Sequence, residues 1–510
     1  MFKTIDRGAL APNGTGCELA PTPLTLDILK VGAGSPDYQA MSFDPLSKIR
    51  RLVADVEVAD LLELAKIYFS RSILDSEKQR RKQSQNELIV LVVLHFTEWL
   101  DGLGLGARIL QGNPHLYGGS HWNPVTDSEL EVLLGEFALR LGCDPVAFGI
   151  FSTREKMVKQ FHSVHGGEAV IQETGVTRVN FQNGTLQITD KCEEMWDFAS
   201  SDMLTYQLPF DYNEAATCPK FDRYLLRVLP DQSSRLILAE FLGWIFLREL
   251  KLEKILVLLG DGHNGKSVFF DIVNALLGEQ NISNYGLSSL SKMENRCALG
   301  STLLNFGSEI SERCDADLLK KMAAGEPIEA RRLYSDPYIM RTYARLAFNA
   351  NLLPRDTEHT TGFFRRFLII PFNETITESE KDPELAKKII NTELSGVFNW
   401  VMEGLRRLRA QRKFSSCEAA DRALATYKED SDSTAGFLVD GGWLSSSERI
   451  GKGELYLRYQ HYCRDSGHVA LNKLNFSKRL INTHHISESK SGSMRFWNLK
   501  RSEESEIDLT

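Results

Sequence analysis

Between residues 255 and 372, short and mainly apolar runs are separated by stretches with apolar positions at helical spacing. The runs are Ile255–Leu259, Thr302–Phe306, Ala344–Phe348 and Leu368–Ile370. Such a run reads as a strand covered on both faces, and strands alternating with helices predict a parallel sheet flanked by helices. Upstream, Ile49, Leu52, Val53, Val56, Leu61, Leu62 and Leu64 recur at helical spacing within Pro45–Leu74. The apolar run Leu88–Leu94, continuing through Trp99-Leu100, predicts a core helix, because it falls well short of the ~20 residues that span a bilayer. Thr126-Asp127-Ser128-Glu129 ahead of Leu130 is a capping box. Val179–Ile188 alternates around Asn183-Gly184 and predicts a hairpin. A helix is expected over Ser233–Leu250. Near the C-terminus, helices at Lys452–Ser466 and Lys473–Asn482 precede a hairpin turning at Ser491-Gly492, the outline of a winged helix.

Residues 1–45 are rich in Gly and Pro and read as a partly disordered or surface arm. Asp75–Glu87, with Lys78, Arg80, Arg81 and Lys82, reads as a charged helix face or a linker. At 510 residues the chain needs several cores. Four regions are expected: an N-terminal arm and helical region at 1–110, an α+β domain at 111–235, the sheet domain at 236–425, and the winged helix with its tail at 426–510.

The candidate chemistry sits where Ile255–Leu259 meets Gly260-Asp261-Gly262-His263-Asn264-Gly265-Lys266-Ser267, followed by the helical Val268–Leu277. Strand, G-x-x-x-x-G-K-S and helix form the P-loop pattern. Glycines let backbone N–H groups point at phosphate oxygens, and the helix start adds a positive dipole end. Lys266 would reach the β- and γ-phosphates of ATP, and the Ser267 hydroxyl would ligate Mg²⁺. Hydrolysis also needs a carboxylate on a neighbouring strand. Glu309, after Thr302–Phe306, is assigned to polarise the attacking water and complete the metal site, with Glu312 as rival. Asn351 is preferred over Asn349 as the strand-end amide facing the γ-phosphate. Arg365 and Arg366, ahead of Leu368–Ile370, are candidates for an arginine presented to a neighbour's γ-phosphate, or for a salt-bridged strand entrance.

Charge changes this picture locally. The chain carries a net charge of -8, yet Lys320–Arg366 holds nine basic against five acidic residues, and Glu448–Lys500 ten against four. Two positive islands on an acidic body point to localised phosphate contacts or to two solvated faces. None of the eight cysteines forms a C-x-x-C pair, which excludes a zinc ribbon or redox pair and fits a cytoplasmic protein.

The motif order extends further. After the P-loop come Ser308-Glu309, Ala324-Gly325-Glu326-Pro327-Ile328-Glu329-Ala330-Arg331-Arg332, Asn351-Leu352-Leu353-Pro354 and Phe364-Arg365-Arg366-Phe367-Leu368-Ile369-Ile370-Pro371-Phe372. This order resembles the superfamily 3 helicases, and within them the phage/plasmid/poxvirus primase-helicase family. Asn183-Gly184-Thr185-Leu186, Tyr206–Tyr212 and Glu240–Trp244 resemble the family's domain ahead of the helicase, so the resemblance covers about residues 115–500. It implies an α/β fold: an AAA+ P-loop ATPase core, a mixed α+β N-terminal region and the C-terminal winged helix. It further implies a hexameric ring on single-stranded or forked DNA, moving 3′→5′ to replicate a mobile element in a bacterial host. The family's DNA-contacting hairpin would fall between Lys320 and Arg341, with Arg331, Arg332 and Tyr334 as candidates. Lys473, Lys478 and Arg479 are candidates on the winged helix. Residues 1–110 hold no Cys/His cluster and no D-x-D motif, so a separate primase is expected. Ser308 stands where an Asp often sits. Two further readings remain: an origin-binding loader with little unwinding, and a small-molecule kinase using the same P-loop.

Overall fold

The computed structural model describes residues 44–59, 61–68, 84–166, 175–308, 310, 315–332, 336–354 and 360–502. The N-terminal arm up to residue 43, the charged run at 75–83, Glu309, Glu312, Tyr334 and the tail from 503 lie outside the described residues. The chain divides into two compact units, Met1–Leu208 and Pro209–Thr510.

The first unit contains helices α1 (Pro45–Ala54), α2 (Leu61–Tyr68) and α3 (Gln85–Gly102), strands β1 (Gly106–Leu110), β2 (Asn113–Tyr117) and β3 (Trp122–Pro124), helices α4 (Asp127–Arg140), α5 (Pro145–Gly149) and α6 (Phe151–His165), and strands β4 (Thr177–Phe181), β5 (Gly184–Ile188) and β6 (Glu193–Trp196). Phe96, Phe137 and Phe161 are fully buried in one apolar cluster that unites α1, α3, α4 and α6. The core helix and the Thr126–Glu129 capping box are as expected, and β4–β5 is the expected hairpin, with Phe181 opposite Gly184. Among the described residues, the helical spacing over Pro45–Leu74 proves to be two helices. Asp55 caps α1 through its N–H to Leu52 O at 3.1 Å, and Val56–Ala59 runs free of helix.

The second unit opens with α7 (Pro219–Val228) and α8 (Gln232–Trp244), then β7 (Ile255–Leu259), α9 (Lys266–Leu277), β8 (Ile282–Ser283), α10 (Met293–Arg296), β9 (Leu304–Gly307), α11 (Ala316–Ala324), β10 (Ile328–Ala330), β11 (Tyr338–Met340), β12 (Arg345–Ala350), α12 (Thr361–Phe364) and β13 (Phe367–Pro371). Helices α13 (Leu385–Gln411), α14 (Glu418–Asp430) and α15 (Ser433–Asp440) follow, then β14 (Trp443–Gly451), α16 (Lys452–Asp465), α17 (Lys473–Asn482), β15 (Glu488–Ser491) and β16 (Met494–Arg501). The central sheet has the order β13-β7-β12-β9-β8, and every pairing is parallel. The unbroken apolar β7 and β13 therefore sit where both faces are covered. The helix expected to reach Leu250 stops at Trp244. Trp244 is fully buried and its indole N–H donates to Leu250 O at 2.6 Å, so the segment between them folds back under the ring.

Helix α13 lies against α8 at close range. A Cβ at Gly404 would fall 2.2 Å from the Ala239 carbonyl carbon, and one at Gly243 2.6 Å from Leu405 N. The crossing also buries Glu240 completely, where it accepts from Arg407 Nε at 3.0 Å and from Ser415 Oγ at 2.6 Å. Neither helix can shift without breaking that network. Gly404→Ala should therefore destabilise the unit by about 1–3 kcal/mol through overpacking. Calorimetry should show the unfolding midpoint lowered by several degrees; an unchanged midpoint would mean the helices separate freely.

The C-terminal module buries Trp497, Tyr459 and Phe476 in its own cluster, with Tyr459 and Phe476 stacked at 4.2 Å. The two helices and the hairpin are as expected, but the sheet has a third strand, in the order β14-β16-β15. Strand β14 is mostly exposed and its register shifts between Ser445 and Arg449. A polar, bulged edge strand leaves no alternation to read.

Candidate functional site

Strand β7 ends at Leu259 and α9 begins at Lys266, so the first six motif residues form a loop over the C-terminal edge of the sheet and the last two open the helix. Gly260 N donates to Ala350 O at 3.0 Å. Gly262, His263 and Gly265 all have positive φ, at 104°, 48° and 87°. A Cβ at Gly260 would lie 2.1 Å from Asn264 Nδ2, and one at Gly265 2.7 Å from Val228 Cγ1. The outer wall is held by Tyr224, whose hydroxyl donates to Gly265 O at 2.8 Å, and by Ile376 N donating to His263 O at 2.8 Å. No side chain caps α9, so its first-turn N–H groups face the loop interior, the geometry that holds an anion. Asp261 and Ser267 are exposed there.

Asn264 is a buried strut. Its Nδ2 donates to Phe372 O at 3.0 Å, and its Oδ1 accepts from Lys266 Nζ at 3.1 Å. Lys266 Nζ also donates to Gly260 O. Burial pulls the Lys266 pKa below the usual lysine value, opposed in part by Asp261. The ammonium thus lies folded into the loop.

The neighbouring strands complete the edge. Strand β12 runs to Ala350, opposite Leu259, so Asn351 is the first residue past it. Asn349 lies within the strand opposite Leu258, with its Oδ1 buried and without a hydrogen-bond partner. Strand β9 ends at Gly307 opposite Phe348, two residues before Glu309. A cavity of about 530 Å³ opens here, lined by Gly260, Asp261, Gly262, Asn264 and Asn351 on one side and by α14 on the other. Arg422, Thr426 and Asp430 of α14 line it, as does Asn373 after β13. No motif marks these residues; the only sequence signal is their spacing along one helix face.

Arg365 and Arg366 lie at the other edge of the sheet. Phe367 pairs with Ile255, while Pro371 pairs with Leu259 beside the loop. Four residues of strand, about 13 Å, separate the two edges. Arg365 is exposed and donates to Glu253 Oε2 at 2.6 Å. Arg366 is buried, with its guanidinium on Gly362 O and 3.5 Å from Glu253.

The nucleic-acid candidates fall in two places. Strands β10 and β11 form an antiparallel hairpin, with Ala330 opposite Tyr338. Arg331 and Arg332 follow β10 toward its tip, and Arg331 Nε donates to Glu294 at 3.1 Å. On α17, Lys473 and Lys478 are exposed. Arg479 is turned inward, 3.3 Å from Asp432 Oδ2, and Asp432 also accepts from Thr434 N at 3.0 Å to cap α15. Of the three, Arg479 offers the least surface.

A glycine cradle on the C-terminal edge of a parallel sheet, with a lysine at the first position of the following helix, defines a P-loop α/β protein. Comparison with known proteins narrows this. Residues 150–230 match a family described as D5 N terminal like, and residues 429–507 one described as poxvirus D5 protein-like. Residues 258–366 match a family of unknown function, DUF5906. In these two flanking segments the chain is similar to the phage and poxvirus D5-like primase-helicases.

A candidate helicase of Acanthamoeba polyphaga mimivirus is 23% identical over 224 residues, covering 41% of this chain. The chain spans only 23% of that relative's length. The apo C-terminal region of NrS-1 aligns over 82% of this chain and 100% of its own, at 12% identity and a TM-score of 0.44. A JCV helicase aligns over 41% of this chain and 63% of its own, at 13% identity and a TM-score of 0.27. Among the described residues, no helix is long and apolar enough to cross a membrane.

Proposed function

We propose that this chain is an ATP-driven DNA helicase that works as a ring. The observation that carries the reading is the placement of the P-loop and of the exposed Arg365 at opposite edges of one sheet. A protomer cannot bring that arginine to its own phosphates, but a neighbour in a closed ring can. The strand order, with the loop-bearing β7 between β13 and β12, supports an AAA+ core. The triphosphate fits the uncapped start of α9, the glycine cradle and Lys266. For Mg²⁺, the exposed Ser267 hydroxyl and Glu309 would be the protein ligands. The β10–β11 hairpin, with Arg331 and Arg332 beyond it, would track phosphates of a single strand threaded through the ring. The C-terminal module, with exposed Lys473 and Lys478, reads as a winged helix docking on duplex. A separate primase would supply primers.

The same module also supports a loader that opens an origin without travelling. Strand displacement on forked DNA decides between the two. The helicase should release the displaced strand over tens of base pairs, only with ATP and from a fork with a free 3′ tail. Local melting without release of a long strand would favour the loader.

A further inference from the structure

The phosphate cavity has a second wall that the P-loop motif does not predict. Helix α14 presents Ala419, Arg422, Ala423, Thr426 and Asp430 along one face, and all of them line the cavity opposite Gly260–Gly262 and Asn351. Small residues one turn before Arg422 and beside it leave room for the guanidinium to lie over that face. The helix is pinned in place. Tyr427 packs edge-on against Phe364 and Phe367 at 5.2 and 5.6 Å, and its hydroxyl donates to Pro354 O at 2.8 Å. Pro354 is three residues past Asn351, so α14 and the Asn351 loop hold one spacing across the cavity.

Among the described residues that line the cavity, Arg422 is the only Lys or Arg. Its partner in the chain is Glu418 Oε2 at 3.5 Å, with the two side chains 74% and 92% exposed. An exposed pair one turn apart holds an arginine weakly, so the guanidinium is free to swing inward. What it would meet is fixed by the opposite wall. Gly260–Gly262 form the first half of the loop, ahead of the residues that would wrap the inner phosphates, and Asn351 directly follows the strand next to β7. Asp261 and Asp430 also line the cavity, so a further anion placed there needs a cation that the P-loop lysine alone does not supply.

We propose that Arg422 binds the terminal phosphate of the nucleotide held by its own chain, so that α14 distinguishes a triphosphate from a diphosphate. The proposal rests on the P-loop being a nucleotide site, and it concerns a wall of that site outside the motif. A planar guanidinium forks onto two phosphate oxygens, which a diphosphate in the same cradle would not offer at that distance.

The test is equilibrium binding of a non-hydrolysable ATP analogue and of ADP, each with Mg²⁺, to the full chain and its variants. Arg422→Ala should weaken the triphosphate analogue about tenfold, or ~1.4 kcal/mol, and leave ADP within twofold. Arg422→Lys should recover part of the loss, since it keeps the charge without the fork. Equal weakening of both nucleotides, or no change in either, would overturn the proposal. If the unaltered chain and Lys266→Ala bind neither nucleotide differently, the P-loop reading itself fails instead. Arg422 is exposed, so a thermal melt of Arg422→Ala should match the unaltered chain; if it does not, the Lys variant carries the comparison.

Discussion

Lys266→Ala should abolish nucleotide-driven strand displacement while leaving the protein folded. The ammonium is the one cation built into the loop, and it lies over the interior that the N–H groups of α9 face. On the proposed reading, charge developing between the β- and γ-phosphates would be stabilised there in a partly dry site, where one donor is worth about 10²- to 10³-fold in turnover, or ~3–4 kcal/mol. That ammonium donates to Gly260 O and Asn264 Oδ1. Losing it leaves Asn264 still fixed to Phe372 O at 3.0 Å. The melting midpoint should therefore move by only a few degrees. Steady-state hydrolysis, with and without single-stranded DNA, and a fork assay measure the effect. A Lys266→Ala protein that still displaces a strand at the unaltered rate would remove the P-loop from the mechanism. The catalytic loss should also exceed what Arg422 is expected to contribute, because on this reading Lys266 would act on the reacting bond rather than on recognition of its far oxygen.

What the sequence made legible follows from the range of the interactions involved. The loop and its helix are local: eight consecutive residues fix the turn, and β7 before them is apolar throughout. The hairpin at Asn183-Gly184 and the Thr126–Glu129 box are likewise decided within a few residues. Asn351 could be preferred over Asn349 on sequence, but its separation from Asn349 depends on β12 running two residues further than the apolar run suggests. That extension is set by pairing with Leu258 and Leu259, nearly a hundred residues away. Arg422 carried no motif, only its spacing along one helix face. It reaches the cavity because Tyr427 docks against Phe364 and Phe367, a contact that no local periodicity encodes. Arg479 shows the converse. Its basic character and helix suggested a DNA contact, while its place beside buried Asp432 is a tertiary matter. The split between Arg365 and Arg366 is of the same kind: adjacent residues at the entrance to a strand point to opposite sides, and which side is covered depends on the elements packed there.

That split gives the second large effect. Arg365→Ala should reduce hydrolysis by about 10³-fold, the scale of an arginine that stabilises transition-state charge on a transferring phosphoryl group. Its loss should cost little stability, because the Glu253 pair is exposed on both sides at 59% and 39% and such pairs contribute about 0–1 kcal/mol. Arg366→Ala should do the reverse first. Its guanidinium is buried against Gly362 O, so removal leaves the start of β13 poorly supported, and a lowered melting midpoint should accompany any loss of turnover. The decisive measurement is mixing. An Arg365→Ala chain keeps its lysine, and a Lys266→Ala chain keeps its arginine. Where they sit side by side in the right order, one complete site forms from two defective chains. Random assembly of equal amounts makes about a quarter of the interfaces complete, so about a quarter of the unaltered activity should return, from components that each have almost none. Mixing Arg422→Ala with Lys266→Ala chains should restore none, because on the proposed reading both residues act on the nucleotide of their own chain and no arrangement brings intact copies together. Mixed rings, verified by mass, that show no recovery with Arg365→Ala would place that arginine's role within one chain, and the 13 Å of strand between the two edges would then have to be closed by movement inside the sheet domain rather than by a neighbour.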